Sequence, residues 1–379
     1  MPSQNKNDAL SPGLPLQSGE DIGRVTYIPS ADGLRFVAFL LVFFSHMSIG
    51  GDWRLLGAVA SRGWIGVEIF FALSAFLLFI LLQEEKIKYG DISIAKFYTR
   101  RAYRIYPLMI FSSVAFVFLF GHRGDDWIQR LAGIAIGVDN FLSWIKGYNQ
   151  SVPYTAHFWT LSYELQIYLI IPLVFLAFQR LRHRQIVMVL LGIEVFALIA
   201  RWIFATLGAP HPIIWVTPFL RPESTLLGIS IAIFHTRLPS TLLAGIIGVA
   251  FALLVLGPSG DVMGNWTVVA YILAGAVSGS ALLLALGSNI VKLVLSTKAI
   301  VFLGRISFGL YVYHLVCLGV SGQLVSRFYP NDPLIPAWIA ADALALTLTI
   351  IVSMASYFLL ERPFLLLKER ISPIHSRAP

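Results

Sequence analysis

Residues 63–82 read GWIGVEIFFALSAFLLFILL, twenty residues with a single ionisable side chain, Glu68. About 20 apolar residues in a row cross the hydrocarbon core of a bilayer as one helix. The pattern recurs along the chain. Apolar windows lie at roughly 31–50, 63–82, 105–121, 157–178, 186–206, 213–235, 240–257, 264–286, 299–320 and 336–360. They predict an all-α, polytopic membrane protein with about ten transmembrane helices. The sixth window holds Pro218 and Pro222. Proline lacks the backbone donor a helix needs, so this window is expected to be broken or re-entrant.

Composition points the same way. Hydrophobic residues make up 57% of the 379, charged residues 13%, and the mean hydropathy is +0.76. A soluble domain is about a quarter charged. A disordered protein, a cytosolic enzyme and a disulfide-rich secreted domain are therefore excluded. The single cysteine, Cys317, sits in an apolar run. It cannot form an intramolecular disulfide and reads as a small buried core residue. The chain shows no internal repeat, which weighs against an inverted-repeat transporter.

The net charge of +8 is placed asymmetrically. With the N-terminus inside, eighteen Lys and Arg fall in inside segments and six in outside segments. The other four, Arg35, Arg201, Arg221 and Arg305, fall within the windows. This bias predicts both termini in the cytoplasm. The positive charge is then a topology signal, and no nucleic-acid partner is needed to explain it. Residues 1–27 are polar, with no apolar core of leader length, and are expected to be a disordered cytoplasmic tail. Residues 367–379 are expected to be a cytoplasmic C-terminal tail. The longest basic stretch is 83–104, QEEKIKYGDISIAKFYTRRAYR. Its last part predicts a cytoplasmic amphipathic helix leading into the third window. On charge alone it reads as a headgroup anchor ahead of a site for an anionic ligand. The outside loop 122–156 carries Trp127, Trp144 and Tyr148, and is expected to lie on the outer interface.

Ionisable groups at bilayer depth are costly, so each is a functional candidate. The first window reads ADGLRFVAFLLVFFSHMSIGG over 31–51. Arg35 and His46 are eleven residues apart. Eleven helical steps return to within about 20° of one face and rise about 16 Å. Both are therefore expected to line one cavity, Arg35 toward the cytoplasm and His46 toward the outside. Glu68 stands in the second window, and His157 and Glu164 in the fourth. Glu164 reads equally as a carboxylate that orients a catalytic histidine and as one that pins helices. The pairs Glu194–Arg201 and Glu361–Arg362, and His314 in the ninth window, read as structural. Arg221 and Glu223 fall in the broken sixth window.

At these residues the chain resembles the acyltransferase-3 membrane family. The resemblance rests on DGLR at 32–35, His46, GWIGVEIFFALSAF at 63–76 and KFYTRRAYRIYP at 96–107. It continues in HFWTLSYELQIYLIIP at 157–172, RISFGLYVYHL at 305–315 and LERPF at 360–364. It implies an acyltransferase transmembrane domain over 28–366. It further implies a multi-pass O-acyltransferase of the bacterial cytoplasmic (inner) membrane, without a metal. Such enzymes move an acyl group, usually acetyl, from acetyl-CoA as co-substrate to a hydroxyl of a glycan. Lipopolysaccharide, exopolysaccharide and peptidoglycan are such acceptors, and some relatives acylate small molecules such as macrolides. The family's Arg-ten residues-His motif falls on Arg35 and His46, and its cytoplasmic Arg-x-x-Arg motif on Arg101 and Arg104. The latter reverses the headgroup reading of the basic stretch. Glu68 stands where the family has Asp, and Ser74-Ala75-Phe76 where it has Ser-Gly-Phe. Members with an extra outside hydrolase-like domain carry it after the last span, and that variant is not expected in a chain ending at 379.

The expected site comprises His46, Arg35, Glu164 and Glu68 for catalysis, with Arg35, Arg101 and Arg104 binding acyl-CoA. Guanidinium matches phosphate geometry bidentately, which suits an anionic donor. His46 would act as general base or carry the acyl group itself, with Glu164 or Glu68 orienting it. The expected partners are acyl-CoA, a glycan or lipid-linked saccharide acceptor and the lipid bilayer; oligomeric state stays open. The main rival is a proton-coupled transporter, which also uses intramembrane Arg, Glu and His. A His-four residues-Asp acyltransferase motif is absent, since Asp52 lies six positions after His46.

Overall fold

A computed structural model describes residues 27–49, 53–147, 151–258, 264–328 and 336–371, with side chains described as far as residue 367. All regular structure among the described residues is helical. This follows from the windows themselves. Lipid offers backbone N–H and C=O groups no partner, so an apolar segment satisfies them within its own helix.

The helices run α1 Pro29–Ser45, α2 Arg54–Ala60, α3 Ile65–Tyr89, α4 Ile94–Phe120, α5 Trp127–Ile136 and α6 Asp139–Lys146. A 3₁₀ turn at Ala156–Phe158 leads into α7 Trp159–Phe178, then come α8 His183–Thr206, α9 Ile213–Val216 and α10 Glu223–Phe234. The chain continues with α11 Ser240–Leu256, α12 Trp266–Gly287, α13 Asn289–Leu295, α14 Lys298–Arg305, α15 Ser307–Phe328, α16 Ala337–Ser356 and α17 Arg362–Ile371. Among the described residues, seven helical segments are long and apolar enough to cross a membrane. The windows at 31–50 and 240–257 become α1 and α11, each of 17 residues. The window at 213–235 is broken as its prolines predict: α9, a 3₁₀ turn at Pro218–Leu220, then α10.

Several expectations change. The basic arm and the third span are one continuous helix, α4, of 27 residues with Pro107 inside it. Ser93 caps its start, its hydroxyl accepting from the Lys96 backbone N–H at 3.4 Å. The ninth window is divided at Ile306 between α14, which packs on α1, and α15. The loop at 122–156 folds into α5 and α6, and these are pinned into the bundle as well as carrying aromatics. Arg130 bonds Asp139 at 3.1 Å, Asn140 bonds Gln166 at 3.1 Å, and the Trp144 indole donates to Thr217 at 2.9 Å. Tyr148, Asp52, residues 1–26 and residues 372–379 lie outside the described residues. The tail expected from residue 367 begins as the end of α17.

The centre of the bundle is α3, packed against α1, α7, α10 and α12. Between helices in lipid there is little hydrophobic driving force, so close backbone approach and packing hold them together. Gly66 of α3 meets the backbone carbonyl of Ala38 on α1, where any Cβ would overlap the oxygen. Phe71 of α3 stacks on Tyr163 of α7, with ring centroids 4.0 Å apart. The outer faces carry large apolar side chains, including Phe118, Leu256 and Leu359, each more than 80% exposed. A water-facing surface would not hold such patches, whereas acyl chains match them.

Four buried ions sit beside α3. Arg221 donates to Glu68 and, at 2.6 Å, to the Trp215 carbonyl. Its guanidinium lies 4.6 Å from the Tyr271 ring and 4.7 Å from the Trp215 ring. Arg201 pairs with Glu223 at 2.5 Å and donates to the Leu220 carbonyl at 2.8 Å. The expected Glu194–Arg201 pair is thus replaced by Glu223–Arg201. The break at Pro218–Pro222 brings the start of α10 against α8, and Glu223 arrives at a helix N-terminus, which favours its charge.

Candidate functional site

Residues from α1, α3, α4, α7 and α15 line a cleft of about 720 Å³, its mouth included. Arg35, Ser74, Arg101, Arg104, Thr160, Glu164, Tyr168, Ser307 and Tyr311 supply its polar groups, and Phe70, Leu77, Leu78 and Ile105 are among its apolar ones.

The DGLR segment builds one side. Asp32 lies one turn before Arg35 on α1 and accepts from it at 2.5 Å, an i,i+3 pair. Tyr27 donates to the same carboxylate at 2.8 Å, and Arg305 donates to the Tyr27 hydroxyl at 3.3 Å. Arg35 is thereby held in place while it lines the cleft.

The Arg-x-x-Arg spacing places Arg101 and Arg104 on one face of α4. Among the described residues neither has a carboxylate partner. Arg101 instead lies 5.9 Å from the centroids of the Phe97 and Tyr168 rings, and its Nε is buried without a hydrogen bond. The adjacent Arg100 points elsewhere and pairs with Glu85 at 2.6 Å. Three guanidiniums and one carboxylate face the cleft, so its field attracts anions.

That carboxylate is Glu164. One oxygen accepts from the Ser74 hydroxyl at 2.8 Å and also from the Tyr168 hydroxyl. Thr160, Glu164 and Tyr168 recur every four residues and so share one face of α7. At the deep wall, the Thr160 and Tyr311 hydroxyls bond at 2.7 Å.

Beyond that wall lie three imidazoles. The His157 ring is 5.0 Å from the Tyr311 ring and 4.7 Å from the His314 ring. His314 is 5.0 Å from His46. His46 follows the last residue of α1, exposed, with Nδ1 2.9 Å from the Val42 carbonyl.

Of the residues singled out in the sequence, Arg35, Arg101, Arg104 and Glu164 meet at the cleft. His46 stands beyond it, among His157 and His314, and does not itself line the cleft. Glu68 faces the opposite way, toward Arg221. Ser74, Thr160, Tyr168 and Tyr311 were not singled out. The four-residue register around Glu164 was the signal that could have found two of them.

Comparison with known proteins agrees with this geometry. Residues 28–358 match the family model described as an acyltransferase domain. The chain belongs to this acyltransferase family. O-acetyltransferase OatA of Staphylococcus aureus strain NCTC 8325 is 24% identical over 359 residues, covering 89% of this chain and 57% of the relative. OatA of strain COL of the same organism matches with the same figures. The chain therefore spans a little over half the length of these curated relatives. No solved structure matches the chain significantly. The family match runs through every element of the cleft and through the histidines.

Proposed function

We propose that the chain moves an acetyl group from cytosolic acetyl-CoA to a hydroxyl of a cell-envelope or exopolysaccharide glycan at the bacterial cytoplasmic membrane. The observation that carries this reading is the pair Arg101 and Arg104, facing the cleft with no carboxylate of their own. Half-buried cations without a counter-ion favour the arrival of an anion. The phosphates of a CoA thioester are such an anion, and Arg35 completes a three-cation clamp. The positive-inside bias puts this mouth of the cleft on the cytosolic side. The names of the relatives support acetyl as the group transferred.

The residues divide the work. Arg101 and Arg104 bind the donor's phosphates, and Arg35, tethered by Asp32, orients the donor arm. The apolar wall around Phe70, Leu77 and Ile105 excludes water from the thioester. Glu164, held by Ser74 and Tyr168, places its carboxylate beside the clamp. His46 takes the proton of the acceptor hydroxyl. A carbonyl only accepts, so the hydrogen of His46 is on Nδ1, toward Val42, and Nε2 is left as the base.

The reading is tested with protein reconstituted in vesicles, labelled acetyl-CoA on one side and glycan fragments on the other. Labelled ester on the glycan is expected. His46→Ala is expected to lower transfer by about 10²–10⁴-fold while CoA still binds. Flux of a solute with no covalent product would replace the reading with transport.

A further inference from the structure

Neither carboxylate expected to orient His46 does so. Glu68 bonds Arg221, and Glu164 is held at the cleft by Ser74 and Tyr168. A catalytic base must be fixed to within about half an ångström by what surrounds it. His46 is poorly placed for that on its own. It caps the end of α1, where a helix frays, and it is exposed. Its ring is tied to Val42 of the last turn, but the chain leaves helical structure at Met47 and Ser48.

The outer end of α16 holds that chain. Asp342 is the one ionisable side chain of α16 and is only 5% exposed. Among the described residues no Lys or Arg pairs with it, and its Oδ2 is buried without a hydrogen bond. The Ser48 backbone N–H donates to this carboxylate. One turn earlier on the same face of α16, Trp338 meets Trp53 edge to face, with ring centroids 6.2 Å apart. Met47 packs on the cluster that joins Ala345 of α16 to Phe39 and Phe43 of α1. Three positions of α16 therefore hold the segment that follows the base. A lone buried carboxylate lowers stability, and an apolar side chain in its place would not. What the carboxylate does provide is a charged acceptor for the second residue after His46.

We propose that Asp342 is the positioning residue of His46, holding the Ser48 backbone so that the turn after α1 stays fixed and Nε2 stays aimed at the acceptor hydroxyl. The inference rests on the acyl-transfer reading above, in which His46 is the base. Asp342 touches neither substrate; it acts through the Ser48 N–H. The Trp338–Trp53 contact is a second hold on the far side of the same turn.

The test uses the reconstituted full chain with labelled acetyl-CoA and glycan fragments. Asp342→Ala is expected to lower kcat by about 10–10²-fold. KM for acetyl-CoA and CoA binding should be unchanged, and the unfolding midpoint unchanged or raised. Asp342→Asn keeps an acceptor oxygen for the Ser48 N–H and is expected to recover most of the lost kcat. Hydrogen exchange reads the tether without activity. The peptide covering residues 46–49 should exchange faster in Asp342→Ala and near the wild-type rate in Asp342→Asn, with core peptides unchanged. Wild-type kcat or unchanged exchange at 46–49 in Asp342→Ala, beside an inactive His46→Ala, overturns the positioning role and leaves the acyl-transfer reading standing. Equal losses in the Ala and Asn variants would mean that the charge acts and not the tether, and the proposal fails. It fails too if kcat, CoA binding and the midpoint fall together, since Asp342 is then structural. Absence of acetyl transfer by the wild type overturns both readings.

Discussion

Two groups of guanidiniums lie on either side of α3, one fully buried and one half-buried, and they differ in what they face. Arg201 and Arg221 are fully buried, each with a carboxylate, backbone carbonyls and aromatic faces around it. Arg101 and Arg104 face a cleft, with no carboxylate partner among the described residues. Both groups come from the same residue type at bilayer depth. The first has its counter-ions within the chain and so holds helices together. The second lacks them and so is poised for an anion from outside the chain. Residue type alone does not separate structure from function here; completeness of pairing does.

The comparison is broken most directly at Arg221. Arg221→Leu strands the Glu68 carboxylate in the core, and a loss of about 3–5 kcal/mol in stability is expected, read as a lowered unfolding midpoint in detergent. The double replacement Glu68→Leu with Arg221→Leu should recover much of it, because no lone charge then remains. An unchanged midpoint for the single variant would place Arg221 with the cleft arginines instead.

The opposite behaviour is expected at the cleft. Arg101→Ala and Arg104→Ala should each weaken CoA binding by about 1.5–3 kcal/mol, the range of a hydrogen bond to a charged group. The unfolding midpoint should hold or rise, since like charges are thinned. Calorimetric titration with CoA and a melting curve on the same sample check both halves. Arg101→Lys sharpens the point. It keeps the charge but loses the fork, so affinity should fall between wild type and Ala.

The smallest effect is expected at the Glu164 support. Ser74→Ala removes one neutral donor to a carboxylate that Tyr168 still holds. About 0.5–1.5 kcal/mol is expected, seen as a severalfold fall in kcat at unchanged CoA affinity. A larger fall than that of Arg101→Ala would mean that Glu164, rather than the cations, is the critical group of the cleft.

Much of this arrangement was legible from spacing. The three-residue step from Arg101 to Arg104 and the apolar windows are local properties, and a helix converts them directly into faces. The prolines at 218 and 222 announced the break that the structure contains. The misread pairing shows where spacing stops. Glu194 and Arg201 share a helix face, yet Arg201 bonds Glu223, because the break in the sixth window turns the start of α10 toward α8. His157 and His314 are 157 residues apart in sequence and meet only because the 3₁₀ turn ahead of α7 is brought against α15. Nothing local to either residue marks that contact.

The sequence by itself determined the helices, the membrane habit, the family and the cations that face one cleft. The helices and the membrane habit follow from composition and short-range periodicity, which the 3.6-residue turn carries into space, and the family and the cleft cations from the resemblance of ordered motifs. Only the tertiary structure decided which charges are neutralised and which are left open, that Glu68 belongs to the core network, and that three histidines stand in contact between the cleft and the end of α1. Those are contacts between distant segments. In lipid they are chosen by backbone approach at small residues such as Gly66 and by the need to pair every buried ion.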